Sequence, residues 1–120
     1  MRSQLDIHTE QEGPALIITL AGMLDGHTCP QLDEFCSGDL IYTSQHIIID
    51  LLQLSYVSSA GISIFIGLQQ SKRARNGSVH LLNPSAAVAE VFNLLGLQAL
   101  FHIHGSREAA VAAIKAGFKD

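Results

Sequence analysis

The chain has 120 residues, 48% hydrophobic and 15% charged, with a formal net charge of −4. That is one domain's length with enough apolar content for a single core, which excludes wholesale disorder. The acidic balance leaves no basic surplus to neutralise phosphates, so nucleic-acid binding is not expected. Two cysteines, Cys29 and Cys36, are too few for a disulfide framework and point to a reducing compartment.

The first residues, Met1 to Asp6, have no basic stretch leading into an apolar one, so no secretion signal is read there. Residues 51–71 carry no charge, a length that could cross a bilayer, but they include three glutamines, five serines and two glycines. The segment reads as a buried strand end, a turn and a buried helix, and no membrane insertion is expected.

Leu5 to Glu10 alternates, with Leu5, Ile7 and Thr9 on one side, which predicts a half-exposed strand. Gly13-Pro14 separates it from a second strand, Ala15 to Ala21, so the two form an antiparallel hairpin. Gly22 to Thr28 reads as a loop. A helix follows, capped by Thr28 or Cys29, with Pro30 in the first turn and Leu32, Phe35 and Cys36 on the inner face. Gly38 ends it.

His46 to Leu51 is nearly all apolar, as a strand covered on both faces of a parallel sheet would be. The next helix runs from about Ser59 to Arg75 and stops at Asn76-Gly77. Ser78 to Leu82 is a buried strand, and Asn83-Pro84 reads as cap and first residue of a helix reaching Leu95, with Gly96 as terminator. Leu100 to His104 is a short strand. Ser106 caps a last helix whose Ala109, Ala110, Ala113, Ile114 and Phe118 face the sheet. The expected fold is a single α/β domain over residues 1–120. Its mixed, mostly parallel sheet has about five strands and about four helices in the order β-β-α-β-α-β-α-β-α.

Catalytic signatures are missing. Neither phosphate-cradling glycine motif occurs, and Ser58 and Ser59 lack the G-x-S-x-G elbow. A serine hydrolase would need His27 or His80 as base and has no paired acid. His102 and His104, at i and i+2, share one strand face, but no neighbouring carboxylate or cysteine completes a metal set. Cys29 and Cys36 are seven apart, about 10 Å on a helix, too far for a disulfide, so inert thiols are expected.

The segment Tyr56-Val57-Ser58-Ser59-Ala60-Gly61-Ile62 sets two serines at the mouth of an apolar helix. Ser58 is the natural N-cap and Ser59 the first helical residue. The first N–H groups of a helix lack intrahelical partners and the dipole there is positive, so a phosphoryl group is favoured at that point. It also puts close to two negative charges on a neutral patch. On these residues alone, a plain capping role remains the alternative. Ile62, Ile64, Phe65, Ile66 and Leu68 make the helix more apolar than one buried face requires. This predicts an exposed apolar strip beside Ser59, with Ile62, Ser63 and Ile66 as partner contacts.

The same segment, after Ile47 to Leu51, resembles the signature of the STAS domain, and within it the bacterial anti-sigma factor antagonists. Gly22 to Thr28, Leu82-Asn83-Pro84 with Phe92 to Leu97, and the Ala-rich C-terminal helix agree in order and spacing. The resemblance implies a non-enzymatic, cytoplasmic switch. The unmodified protein would bind an anti-sigma factor that is also a serine kinase, freeing a sigma factor. Phosphorylation at Ser59, with Ser58 as minor acceptor, would end the binding, and a serine phosphatase would reset it. ATP and Mg²⁺ would belong to the kinase, and the chain itself would hold no cofactor or metal. Asp25 corresponds to a loop acid serving partner contact or phosphorylation. The chain departs from the family pattern at Ser58, Asp in many members, and at Ala60, a second Ser or Thr in many. The alternative role within the family is a scaffold or adaptor subunit of a stress-signalling complex or of a lipid-transport ATPase.

Overall fold

The computed structural model describes residues 3–117. A twisted sheet has its strands in the order β1-β2-β3-β5-β6, where β5 is Ser78–Leu82, with β4 also on β2. The hairpin β1 (Leu5–Glu12) and β2 (Ala15–Leu24) is antiparallel, and every other pairing is parallel. Parallel neighbours require crossovers, which the intervening helices supply.

The strand β3 (His46–Asp50) shows why a continuous apolar run belongs in such a sheet. Its Ile47 and Ile49 lie in one core cluster with Leu16, Ile18 and Phe65, and Ile48 lies in the other with Ala15, Ile17 and Ile114. Period-2 alternation therefore sends successive isoleucines to opposite faces, both covered. The larger cluster joins the sheet to α1 (Cys29–Cys36), α3 (Ser59–Ala74) and α4 (Ala86–Leu94). The smaller one is closed by α5 (Arg107–Lys115), through Ala110, Val111 and Ile114. Burying a side chain of this size contributes about 1.5–3 kcal/mol.

The fold has more elements than the sequence pattern announces. Leu54–Val57 forms a sixth strand, β4, where a turn was expected; Leu54 and Val57 are buried at its ends and Ser55 and Tyr56 exposed between them. Asp39–Thr43 forms a one-turn helix, α2, and Leu97–Ala99 a 3₁₀ turn before β6 (His102–His104). Four residues in a strand, or five in a helix, are too few for a periodic signal.

Two boundaries and one helix face also differ from the expectation. The strand β2 continues to Leu24 through a bulge at Gly22, so the expected loop shrinks to Asp25–Thr28. Gly22 takes φ +111°, and a Cβ there would sit 2.3 Å from the Gln4 carbonyl oxygen, which only glycine permits. Helix α4 starts at Ala86 with Ser85 as its cap, in place of Asn83 and Pro84. Ser85 Oγ accepts from Val88 N and donates to Leu54 O, while Asn83 takes a left-handed turn with φ 47° and its N–H bonds His104 O. On α5, Val111 faces the sheet and Ala109 is exposed; Phe118 lies outside the described residues.

Candidate functional site at the start of helix α3

The strand β4 continues the place of β3 beside β2: β3 pairs with Ala15–Thr19 and β4 with Gly22–Leu24. Its end, Val57, is buried, and the chain then turns into α3 at Ser58. The Ser58 N–H donates to Leu24 O at 2.8 Å, which pins the helix mouth to the end of β2. Ser58 Oγ accepts from Gly61 N at 3.2 Å, an N-cap bond. Its remaining neighbour is the Cys29 thiol, with Sγ 3.8 Å from Oγ. The first i to i−4 bond of the helix is Ile62 N to Ser58 O. The N–H groups of Ser59 and Ala60 precede it, with no helical carbonyl one turn earlier to receive them.

Ser59 is exposed, and its hydroxyl makes no hydrogen bond to another described residue. Its carbonyl accepts from Ser63 Oγ at 3.1 Å. No acidic side chain occupies the first turn of α3. The two serines thus divide the work: one hydroxyl is committed to the cap, and the other stands free at a positive helix end.

Gly61 makes this geometry reachable. A Cβ on it would lie 2.8 Å from Leu24 Cγ and Cδ2 and 3.1 Å from Val57 Cγ2. The first turn of α3 packs directly on the two buried residues that end β2 and β4, with no room for a methyl group.

Asp25 shapes the adjacent loop. Its Oδ1 accepts from His27 N at 2.9 Å and Thr28 N at 3.1 Å. The Ser3 hydroxyl bond, with the N–H groups of Thr28 and His27, holds its carboxyl below the usual range against the opposing effect of desolvation. Thr28 occupies the N-cap position of α1, and Cys29 begins the helix, yet Thr28 makes no side-chain cap bond. Its hydroxyl instead donates to Met23 O at 2.7 Å and accepts from Asp25 N at 3.0 Å.

The expected partner contacts separate into two groups. Asp25, Ser58, Ser59 and Ser63 are at least partly accessible. Ile62 is 4% exposed and belongs to the core, so it offers no docking surface, and Ile66 is half-buried against the same core. The extra apolar residues of α3 are absorbed because the helix packs on both the sheet and α1. The exposed apolar side chains next to the serines are Met23 and Tyr56, facing each other across β2 and β4. The alternation of Met23 with Leu24 and of Tyr56 with Val57 is the signal that could have found them. Beside them, Gly26, Cys29, Pro30, Asp33, Ala60 and Ile64 line a cavity of about 400 Å³ between α1 and α3.

The histidines go elsewhere. His80 is fully buried, with its Nδ1 2.9 Å from His104 Nε2 and its Nε2 3.0 Å from Ser78 Oγ. His27 is exposed. His102 and His104 share a face as expected, with both rings against His80, but among the described residues no group of three or more His, Cys, Asp or Glu is arranged to hold a metal ion. Cys29 and Cys36 are free thiols, and burial, with Asp33 adding to it, pushes the Cys36 thiol up to about 11. Among the described residues no helix is long and apolar enough to cross a membrane.

Comparison with known proteins gives the family. The BtrV protein of Bordetella bronchiseptica, named there as a candidate anti-sigma factor antagonist, is 31% identical over 100 residues, covering 83% of this chain and 86% of that one. The anti-sigma factor antagonist SpoIIAA in its unphosphorylated form superimposes with a TM-score of 0.77 at 26% identity, covering 92% of this chain and 97% of that one. SpoIIAA of Bacillus in its phosphorylated form gives 0.68 at 26% identity, over 91% and 99%. The profile of the STAS domain matches residues 6–110, and the chain belongs to the STAS domain family.

Proposed function

We propose that this protein is an anti-sigma factor antagonist switched by phosphorylation at Ser59. The unmodified form binds an anti-sigma factor that is also a serine kinase and so releases a sigma factor. The kinase, supplying ATP and Mg²⁺ from its own site, esterifies Ser59 and ends the complex; a serine phosphatase restores it. The chain works in the cytoplasm and performs no catalysis itself.

The observation that carries this reading is the free, exposed hydroxyl of Ser59 beside a capping Ser58 whose own hydroxyl is engaged. A phosphoryl group on Ser59 meets the unpartnered N–H groups of the first turn, so the product is stabilised without refolding. Its charge of about −2 enters a surface that includes the uncharged, exposed Met23 and Tyr56, paired across β2 and β4. A partner fitted to that apolar surface loses contact through desolvation and repulsion. Relatives named as anti-sigma factor antagonists, one of them solved with and without phosphate, support the assignment.

Incubation with the cognate kinase and ATP tests it. Peptide mass spectrometry should find one phosphate, on Ser59. A phosphate on Ser58 alone, or none while a stable complex forms, would favour the scaffold role.

A further inference from the structure

The far end of α3 carries a second feature. Its last turn meets α2 around a cavity of about 170 Å³ lined by Lys72, Arg75, Thr43, Ser44, Gln45 and Gly77, among others. No carboxylate is among the lining residues. In a chain of net charge −4, Lys72, Arg73 and Arg75 fall within four consecutive positions here.

Lys72 is 3% exposed. Its Nζ donates to Ile41 O, and Arg75 Nη1 donates to Tyr42 O at 2.8 Å. The Arg75 guanidinium also lies 4.0 Å from the Tyr42 ring centroid. These contacts cap the last carbonyls of α2 and use one N–H of each cation, out of three for Lys and five for Arg. Neither cation has a carboxylate partner among the described residues. Buried charges in proteins are normally paired, because an unpaired one keeps its desolvation cost. The helix ends supply about half a negative charge each at most, and exposed Arg75 adds a second, hydrated positive charge beside the buried Lys72. Burial, with Arg75 adding to it, pulls the Lys72 ammonium below its ordinary range. Thr43 Oγ1 and Ser44 Oγ donate to α2 carbonyls, and one N–H of Gln45 Nε2 donates to Asn76 O. The charged donors lining the cavity belong to Lys72 and Arg75.

We propose that this cavity binds a small oxyanion of the phosphate class, held by Lys72 and Arg75 as the missing counter-charge. The volume suits one tetrahedral group; it falls below the roughly 300 Å³ at which pockets for larger organic ligands begin, which disfavours a whole nucleotide. The inference is independent of the role of Ser59 and goes beyond it.

Amide NMR titration of the full chain with inorganic phosphate, against sodium chloride at matched ionic strength, is the test. Shifts at Gln45 and Gly77 that saturate with phosphate and not with chloride are expected. Arg75→Gln and Lys72→Met should each weaken the apparent Kd by about tenfold, the loss of one charge-assisted contact. Lys72 is buried, so Lys72→Met can perturb folding; Arg75 is exposed, and Arg75→Gln alone then decides. O-phosphoserine as a second titrant separates the sources: tighter binding than phosphate indicates a phosphoryl group on another chain, weaker binding a free ion. Shifts that grow linearly with phosphate, match those in chloride, or persist unchanged in Arg75→Gln would overturn the proposal.

Discussion

The Ser58 amide donates to the Leu24 carbonyl at 2.8 Å, so the end of β2 and the mouth of α3 move as one unit. Because Asp25 follows Leu24 and Ser59 follows Ser58, this bond sets the Asp25 loop and the free hydroxyl side by side. The same residue then caps the helix through Oγ. Ser58→Ala removes that acceptor and should destabilise the protein by about 1 kcal/mol in chemical denaturation. Ser58→Asp should recover most of the loss, since Asp accepts the same bond. Equal losses in both variants would show that the cap bond is not what Ser58 contributes.

Gly61 sets the height of the helix above the sheet. Gly61→Ala forces a methyl into the Leu24 side chain, and a clash of this kind costs about 1–3 kcal/mol. Thermal unfolding should show a lower Tm, against the usual gain of alanine over glycine within a helix. A Tm raised by the substitution would mean that α3 shifts freely, and that the position of Ser59 is not fixed by this packing.

The loop acid separates into geometry and charge. The Asp25 carboxylate accepts two backbone N–H bonds, which an asparagine oxygen can also accept. Asp25→Asn should keep the loop's amide shifts, whereas Asp25→Ala should lose them. If Asp25→Asn still weakens partner binding or slows phosphorylation, the charge itself is used by the partner. The carboxyl is held low by Ser3, Thr28 and His27. Its contribution to stability is therefore present above its ordinary pKa and disappears as pH falls through the lowered folded value.

Acid sensitivity near neutrality should come from a different place. His80 is buried under α5, and burial, then His104, His102 and His46, push it down to about 4 from an ordinary 6.5. The unfolded state thus binds a proton that the folded state refuses. Stability should be complete above about pH 6.5 and fall as pH drops toward 4, with one proton's slope from His80. Denaturation at a series of pH values, with His80→Gln as comparison, reads this directly. The variant should have a flatter acid limb; an unchanged limb would assign the sensitivity to other groups.

Much of this was legible in the chain. The run Ile47-Ile48-Ile49 announced a covered strand, Ala15 to Ala21 the second strand of the hairpin, and serine ahead of Ala-Gly-Ile the mouth of α3. What was not legible depended on tertiary neighbours. Ile62 looked like surplus apolar surface because α3 packs on both α1 and the sheet, which period alone cannot reveal. Asn83 looked like a cap, yet Ser85 takes that role because its hydroxyl also reaches Leu54 O on another element. The pairing of Met23 with Tyr56 rests on a four-residue strand that meets β2 just past the bulge at Gly22, and its only trace in the chain is a two-residue alternation on each strand.

The proposed switch is one of charge: a phosphate on one oxygen at the start of α3 ends an association. Isothermal titration of the partner kinase with the wild-type chain, Ser59→Ala and Ser59→Asp, without ATP, tests it most directly. Wild type and Ser59→Ala should bind with matching affinity, and Ser59→Asp should bind at least about tenfold more weakly, carrying part of the phosphate's charge. Matching affinities for Ser59→Ala and Ser59→Asp, in chains that both fold, would contradict the account.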